Sequence, residues 1–371
     1  MDDAPAAAGP AGDDEAGAPA SAEMGEEASA VAAAGSGGTI GAGVGGATGA
    51  AGEPALDADG GTAPRAGDGG APSPNPGDAV ERRPLIPYIA GSFTRVYVPN
   101  GERYLNDHSV VRGADALWHV IGITHTGPGA PQEERAFLHA TAPALSGPWT
   151  DQLDALSAYA MYDERTLWAP HVVQTKPNEW TMLYTAQSLE PTPRYPDTRR
   201  AVSADLQQWT RADPSQGPAG GRDPYLFRDQ DRWLVYSVGV RDNHGQIVVS
   251  STGEREPTGG WSATHPIIED PEPSFGWGNL ESPTVLALEG FYYLFLTRTG
   301  EGSHTDYNLT LVFRSEDPER FDWQPIAELR AHAAEVVRDD ETFYLTSCGW
   351  PSEIGERNRG LSIAKLAWAA Q

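Results

Sequence analysis

Cysteine is nearly missing. Cys348 is the only one in 371 residues, which excludes an internal disulfide and any zinc site built on paired cysteines. Lysine is almost as rare: Lys176 and Lys365 are the only two, and arginine supplies the remaining positive charge. We attribute that bias, with the excess of Ala, Gly and Pro, to a GC-rich genome. Long hydrophobic runs are also absent, so no segment supplies the ~20 apolar residues of a membrane span. The opening Met1-Asp2-Asp3 lacks the basic start of a signal peptide. The expectation is a cytoplasmic protein as the chain stands, or a secreted or surface-tethered one if an export signal lies upstream. A formal charge of −26 argues against nucleic-acid binding, which wants a basic stripe.

Aromatic residues are missing from one region only. Residues 1–85 contain no Phe, Tyr or Trp and consist mainly of Ala, Gly, Pro, Asp and Glu. Such a segment cannot bury enough apolar surface to offset its chain entropy, which predicts a disordered tail over 1–85. Residues 86–371 hold all 11 Trp and 13 Tyr, enough for one large all-β core.

That second region repeats a plan. Each unit opens on a strand with a polar residue at its head and continues with an aromatic-rich strand. A third apolar strand follows, often closed by a turn such as Ser203-Ala204-Asp205-Leu206-Gln207-Gln208-Trp209. The openings fall at Asp107, His171, Asp223, Glu281 and His332. Five units of three or four strands predict an all-β, five-bladed propeller, with the segment around Ile89–Val98 completing the first or last blade. A β-sandwich would not give this period.

Three acidic motifs stand at unit heads: Asn106-Asp107-His108, Arg222-Asp223-Pro224 and Glu281-Ser282-Pro283. Asp107 to Asp223 spans 116 positions, twice the 58 from Asp223 to Glu281. Taken singly, each is an ordinary turn former. Together they would place three carboxylates at one mouth of the ring. There, each raises its neighbours' affinity for protons and so supplies both a protonated acid and an ionised partner. That suits glycosidic cleavage.

Tyr104-Leu105-Asn106-Asp107, Arg222-Asp223-Pro224 and Glu281-Ser282-Pro283 resemble the three signature motifs of the five-bladed β-propeller glycosidases, families 32, 43, 62 and 68. The resemblance covers roughly residues 95–368, and Arg-Asp-Pro is its most specific part. It implies Asp107 as nucleophile or general base, Asp223 as transition-state stabiliser helped by Arg222, and Glu281 as general acid. His108 stands where fructosidases continue with Pro-Asn-Gly, and Ser282 replaces the cysteine often found after their acid. Trp168-Ala169-Pro170-His171 looks more like the arabinanase type, and no C-terminal sandwich is expected after the fifth blade. A family-43-like enzyme is therefore the nearer resemblance.

Around this trio we expect substrate contacts from Asn106, Arg222, Trp168, His171, Trp277, His332 and Glu335, with Trp350 as a further stacking candidate. In some arabinanase-like relatives the histidine at the place of His332 faces a central cation. His119 and His125 flank the strand after Asp107 and could reach the mouth by alternation. No metal-binding motif is present, so no cofactor is required, and a structural calcium is compatible but unsupported. The expected partner is an oligo- or polysaccharide, met by a monomer. The expected activity is hydrolysis of furanosides (arabinofuranoside or fructofuranoside) or pentose-type glycosides. A non-catalytic glycan-binding propeller, or a transglycosylase or phosphorylase on the same fold, is the alternative.

Overall fold

The structure is a computed structural model, and it describes residues 82–189, 197–218, 220–273, 278–299, 307–349 and 358–371. The tail expected over 1–85 lies outside them except for its last four residues. The described chain forms five antiparallel sheets around an axis. From the inside outward, blade one is Asn106–Arg112, Trp118–Thr124, Ala136–Ala142 and Thr150–Asp151, with Leu156–Ser157 also on the third strand. Blade two is Thr166–Lys176, Glu179–Gln187, Asp197–Ser203 and Thr210–Arg211. Blade three is Arg222–Asp229, Arg232–Arg241, His244–Thr252 and His265–Glu269. Blade four is Leu280–Leu288, Phe291–Arg298, Thr310–Ser315 and Ala327–Leu329.

Blade five closes the ring. Its inner strands are Val336–Asp339, Thr342–Ser347 and Leu361–Ala370, and its outermost is Leu85–Tyr97 from the other end of the chain. Leu85 pairs with Ala370 and Tyr97 with Leu361. The N-terminal strand thus completes the last blade, one of the two places expected for it. The protein is an all-β five-bladed propeller. Among the described residues, no helix is long and apolar enough to cross a membrane.

The middle strands explain why so much of this chain is apolar. Side chains alternate across a strand, so successive residues of a blade face opposite neighbours. In Phe291–Arg298, Tyr293 and Phe295 join the core shared with blade five, while Leu294 and Leu296 join the core shared with blade three. In Trp118–Thr124, Trp118 and Val120 pack toward blade five, and Ile121 and Ile123 toward blade two. The buried apolar residues accordingly fall into five clusters, one between each pair of neighbouring blades. Both faces of a blade are buried, so its middle strand reads as a continuous hydrophobic run rather than an alternating one.

Candidate active site

The inner strands of blades one to four open on a bulge at the axis. In blade two, pairing jumps from Trp168 to His171; in blade three from Arg222 to Tyr225; in blade four from Glu281 to Thr284. The second residue of each device is left-handed, with φ 45° at Ala169, 56° at Asp223 and 50° at Ser282. Proline follows in all three and cannot continue the ladder. Blade five repeats the turn at Ala333, φ 46°. In blade one the bulge is shorter, and Asp107 sits between paired Asn106 and His108.

This geometry corrects the repeat positions read from the sequence. His171 is equivalent to Tyr225, Thr284 and Glu335, whereas Glu281 is equivalent to Trp168, Arg222 and His332. Asp223 falls between, with Ala169, Ser282 and Ala333. The extra residue of a bulge re-aims neighbouring side chains, so positions one apart in the repeat serve one site. His332 also precedes the fifth inner strand, which begins only at Val336.

Asp107, Asp223, His171 and Glu335 line one cavity of about 30 Å³ on the axis, together with His108, Tyr225 and Ser282 among others. Asp223 is fixed from three sides. Its backbone N–H donates to Thr185 Oγ1 at 2.8 Å, its carboxylate accepts from Arg222 Nη1, and the Ser282 N–H approaches Oδ2 at 3.3 Å. Arg222 is buried and also reaches Glu281 Oε1 at 3.3 Å and the carbonyl oxygen of Leu280 at 2.9 Å. The turn that delivers this arginine depends on Gly221, where a Cβ would lie 1.6 Å from the carbonyl oxygen of Val238. Ser282 Oγ lies 3.4 Å from Asp107 Oδ1 and links the fourth blade to the first.

Burial pushes Asp107 well above the usual carboxylate range, and the charges of Asp223 and Glu281 push it further. Burial likewise raises Glu281 to about 7, with Arg222 opposing the rise and the Asp223 charge adding to it. Both acids thus hold a proton above the usual carboxylate range, and the Glu281 charge acts on Asp107.

The other expected residues are placed as follows. Asn106 is buried, with its Oδ1 3.6 Å from Cys348 Sγ. Trp168 donates Nε1–H to the carbonyl of Pro131, beside the pocket rather than in its wall. His332 is buried with its ring 5.0 Å from that of Tyr307. His119 does not reach the mouth: it pairs with Val111, at the far end of the inner strand from Asp107, and is buried between Asp115 and His139. His125 lies edge-on to Tyr104. Trp277 and Trp350 lie outside the described residues. Among the described residues, no group of three or more His, Cys, Asp or Glu side chains is arranged to hold a metal ion, His332 included.

Two residues that the sequence reading missed belong here. Glu134 is buried on a loop of blade one, accepts from the Tyr104 hydroxyl at 2.7 Å, and adds its charge to both Asp107 and Glu281. Tyr307 is close enough for its phenol to be pushed up by burial and by the charge of Glu281. Neither stands in a motif.

No family model and no curated protein matches the sequence. Solved structures do match. A family-43 glycoside hydrolase from Xanthomonas citri is 15% identical with a TM-score of 0.54, over 75% of this chain and 90% of that one. An arabinanase from Bacillus subtilis is 15% identical with a TM-score of 0.52, over 75% and 97%. A family-32 beta-fructofuranosidase from Bombyx mori is 15% identical with a TM-score of 0.55, over 75% and 66%. The likeness is one of fold: this chain has the five-bladed propeller that these glycoside hydrolases share.

Proposed function

We propose that the protein is a glycoside hydrolase acting on furanosides or pentose-type glycosides, with Asp107, Asp223 and Glu281 as its carboxylates. The observation that carries this reading is the convergence of the three carboxylates: Ser282 reaches both Asp107 and Asp223, and Arg222 bridges Asp223 and Glu281. In the reacting form Glu281 carries the proton and Asp107 is ionised, although burial and the Asp223 charge favour a proton on Asp107 as well. Glu281 gives its proton to the departing glycosidic oxygen. Asp107 attacks the anomeric carbon or deprotonates the water that does so. Asp223, oriented by Arg222, holds sugar hydroxyls as charge develops on the ring.

The test is a screen of aryl-glycosides and plant or microbial furanans with wild type beside Glu281→Gln, Asp107→Asn and Asp223→Asn. Glu281→Gln should lose about 10²–10⁴-fold on natural glycosides and much less on substrates with good leaving groups, which need little protonation. Asp107→Asn should fail on both. Equal activity in wild type and all three variants would end the catalytic reading and leave a glycan-binding propeller.

A further inference from the structure

The chemistry above leaves two charged residues of the same cavity wall without a task. His171 and Glu335 side chains are only 12% and 13% exposed. Glu335 Oε1 lies 3.3 Å from His171 Nδ1, and its Oε2 accepts the Val110 N–H at 2.9 Å. The other ring nitrogen, Nε2, lies 3.1 Å from the carbonyl oxygen of Leu226. A carbonyl oxygen only accepts, so Nε2 carries a hydrogen; with Glu335 as a carboxylate, Nδ1 donates as well, and an imidazole bearing two N–H groups is a cation. The Tyr225 ring lies 4.0 Å from it, within the range at which a cation is attracted to an aromatic face.

His108 in the same wall shows the contrast. Its Nε2 lies 2.8 Å from Thr346 Oγ1, whose own hydrogen goes to the Glu335 carbonyl, so Nε2 donates. Its Nδ1 is buried with no hydrogen-bond partner, and burial pushes the ring down to about 4. The two histidines of this wall are thus told apart by what they face.

We infer that His171 is a fixed cation of the cavity, held by Glu335, and that the two are positioning residues for the carboxylates beside them; their effect on turnover rests on the glycosidase reading. The pair ties the blades together at the axis. Glu335 comes from blade five, Val110 from blade one, His171 from blade two and Leu226 from blade three. Thr284 of blade four binds the carbonyl of Ala334, next to Glu335. The groups facing the pair are Asp107 and His108 of blade one, Asp223 and Tyr225 of blade three, and Ser282 and Thr284 of blade four. With the cation present, Glu335 adds no net charge to a cavity already crowded with carboxylates. Without it, Glu335 becomes one more negative neighbour and Asp107 ionises less readily.

Nitrogen NMR of the full chain labelled with ¹⁵N-histidine tests the charge, with His171 assigned through its contact with the Tyr225 ring. At neutral pH, His171 should show two proton-bearing nitrogens and His108 one. A neutral His171 ring would overturn the inference while leaving the glycosidase reading intact, since no substrate enters this measurement. On whatever substrate the screen finds, His171→Gln should lower kcat on the order of tenfold or more. It should also move the acidic limb of the pH–rate profile to higher pH. The double variant His171→Gln with Glu335→Gln should move that limb back, although it removes more of the native wall. An identical limb in single and double variants would reduce the pair to a strut and overturn its positioning role.

Discussion

Arg222 touches two of the three carboxylates and treats them unequally: it donates to Asp223, and it only partly offsets the burial of Glu281. A pH-dependent cost to the fold follows. Glu281 keeps its proton to about pH 7 when folded, against an ordinary value of 4.5. Below pH 4.5 both states hold the proton and the residue is neutral to stability. As pH rises the unfolded chain ionises first, so the stability is lost progressively up to about 7 and then levels off. Glu281→Gln removes that loss. The variant's unfolding free energy should match wild type near pH 4 and exceed it at pH 8, by on the order of 3 kcal/mol. A constant difference across that range would show that Glu281 ionises normally. The alkaline limb of the rate profile should lie near the same pH and belong to the Asp107–Glu281 pair rather than to either acid. It should vanish for activated substrates in Glu281→Gln. At this scale the sequence was legible where a residue stood in a motif. Glu134 was not, because a buried acid in a loop has the same local sequence as a solvated one.

The bulges of blades two to four hold Ala169, Asp223 and Ser282 in left-handed conformation, as the turn before blade five holds Ala333, and a Cβ in that conformation costs about 1 kcal/mol. Glycine at such a position relieves that cost while adding freedom to the unfolded chain. Ala169→Gly should therefore change stability by less than about 0.5 kcal/mol. Ala140→Gly, in a buried regular strand, should cost about 1 kcal/mol. Equal losses in chemical denaturation would show that the bulge carries no strain. Losing the hydroxyl behind the bulge should matter more: Thr185→Val strands the buried Asp223 N–H and should cost about 1–3 kcal/mol. The strands themselves were readable, because middle strands buried on both faces leave unbroken apolar runs such as Phe291–Phe295. The one-residue offset among repeat positions was harder to read. Its sign was the proline shared by Ala169-Pro170, Asp223-Pro224 and Ser282-Pro283, which blade five lacks and blade one replaces with a shorter bulge.

The ring as a whole is held by five interfaces of similar kind, so no blade has a core of its own. Removing Leu361–Ala370 strips blade five of its third strand and of the partner of Leu85–Tyr97. The remaining chain should fail to fold rather than lose a fifth of its stability. A soluble truncation with a cooperative melt would rule out closure as the organising contact. At the other end, Arg82 pairs with Glu316 and the Arg83 N–H donates to the carbonyl of Glu289. A chain begun at Arg82 should keep the melting midpoint and the turnover of the full chain, and a drop of several degrees would show a stabilising role for residues 1–81.

Closure also sets an order of events during synthesis. The first strand of the ring to leave the ribosome is Leu85–Tyr97, and its ladder partner among the described residues, Leu361–Ala370, is the last strand of the ring to be made. Until the other four blades have been made, that strand waits with both edges open. A long unpaired strand is a template for joining another chain. This one carries its own interruptions: Pro87 lacks an N–H, Gly91 turns left-handed at φ 97°, and Arg95 puts a charge on the ribbon. The same irregularities that bend the finished outer edge keep the nascent strand from finding the wrong partner before its own has been made.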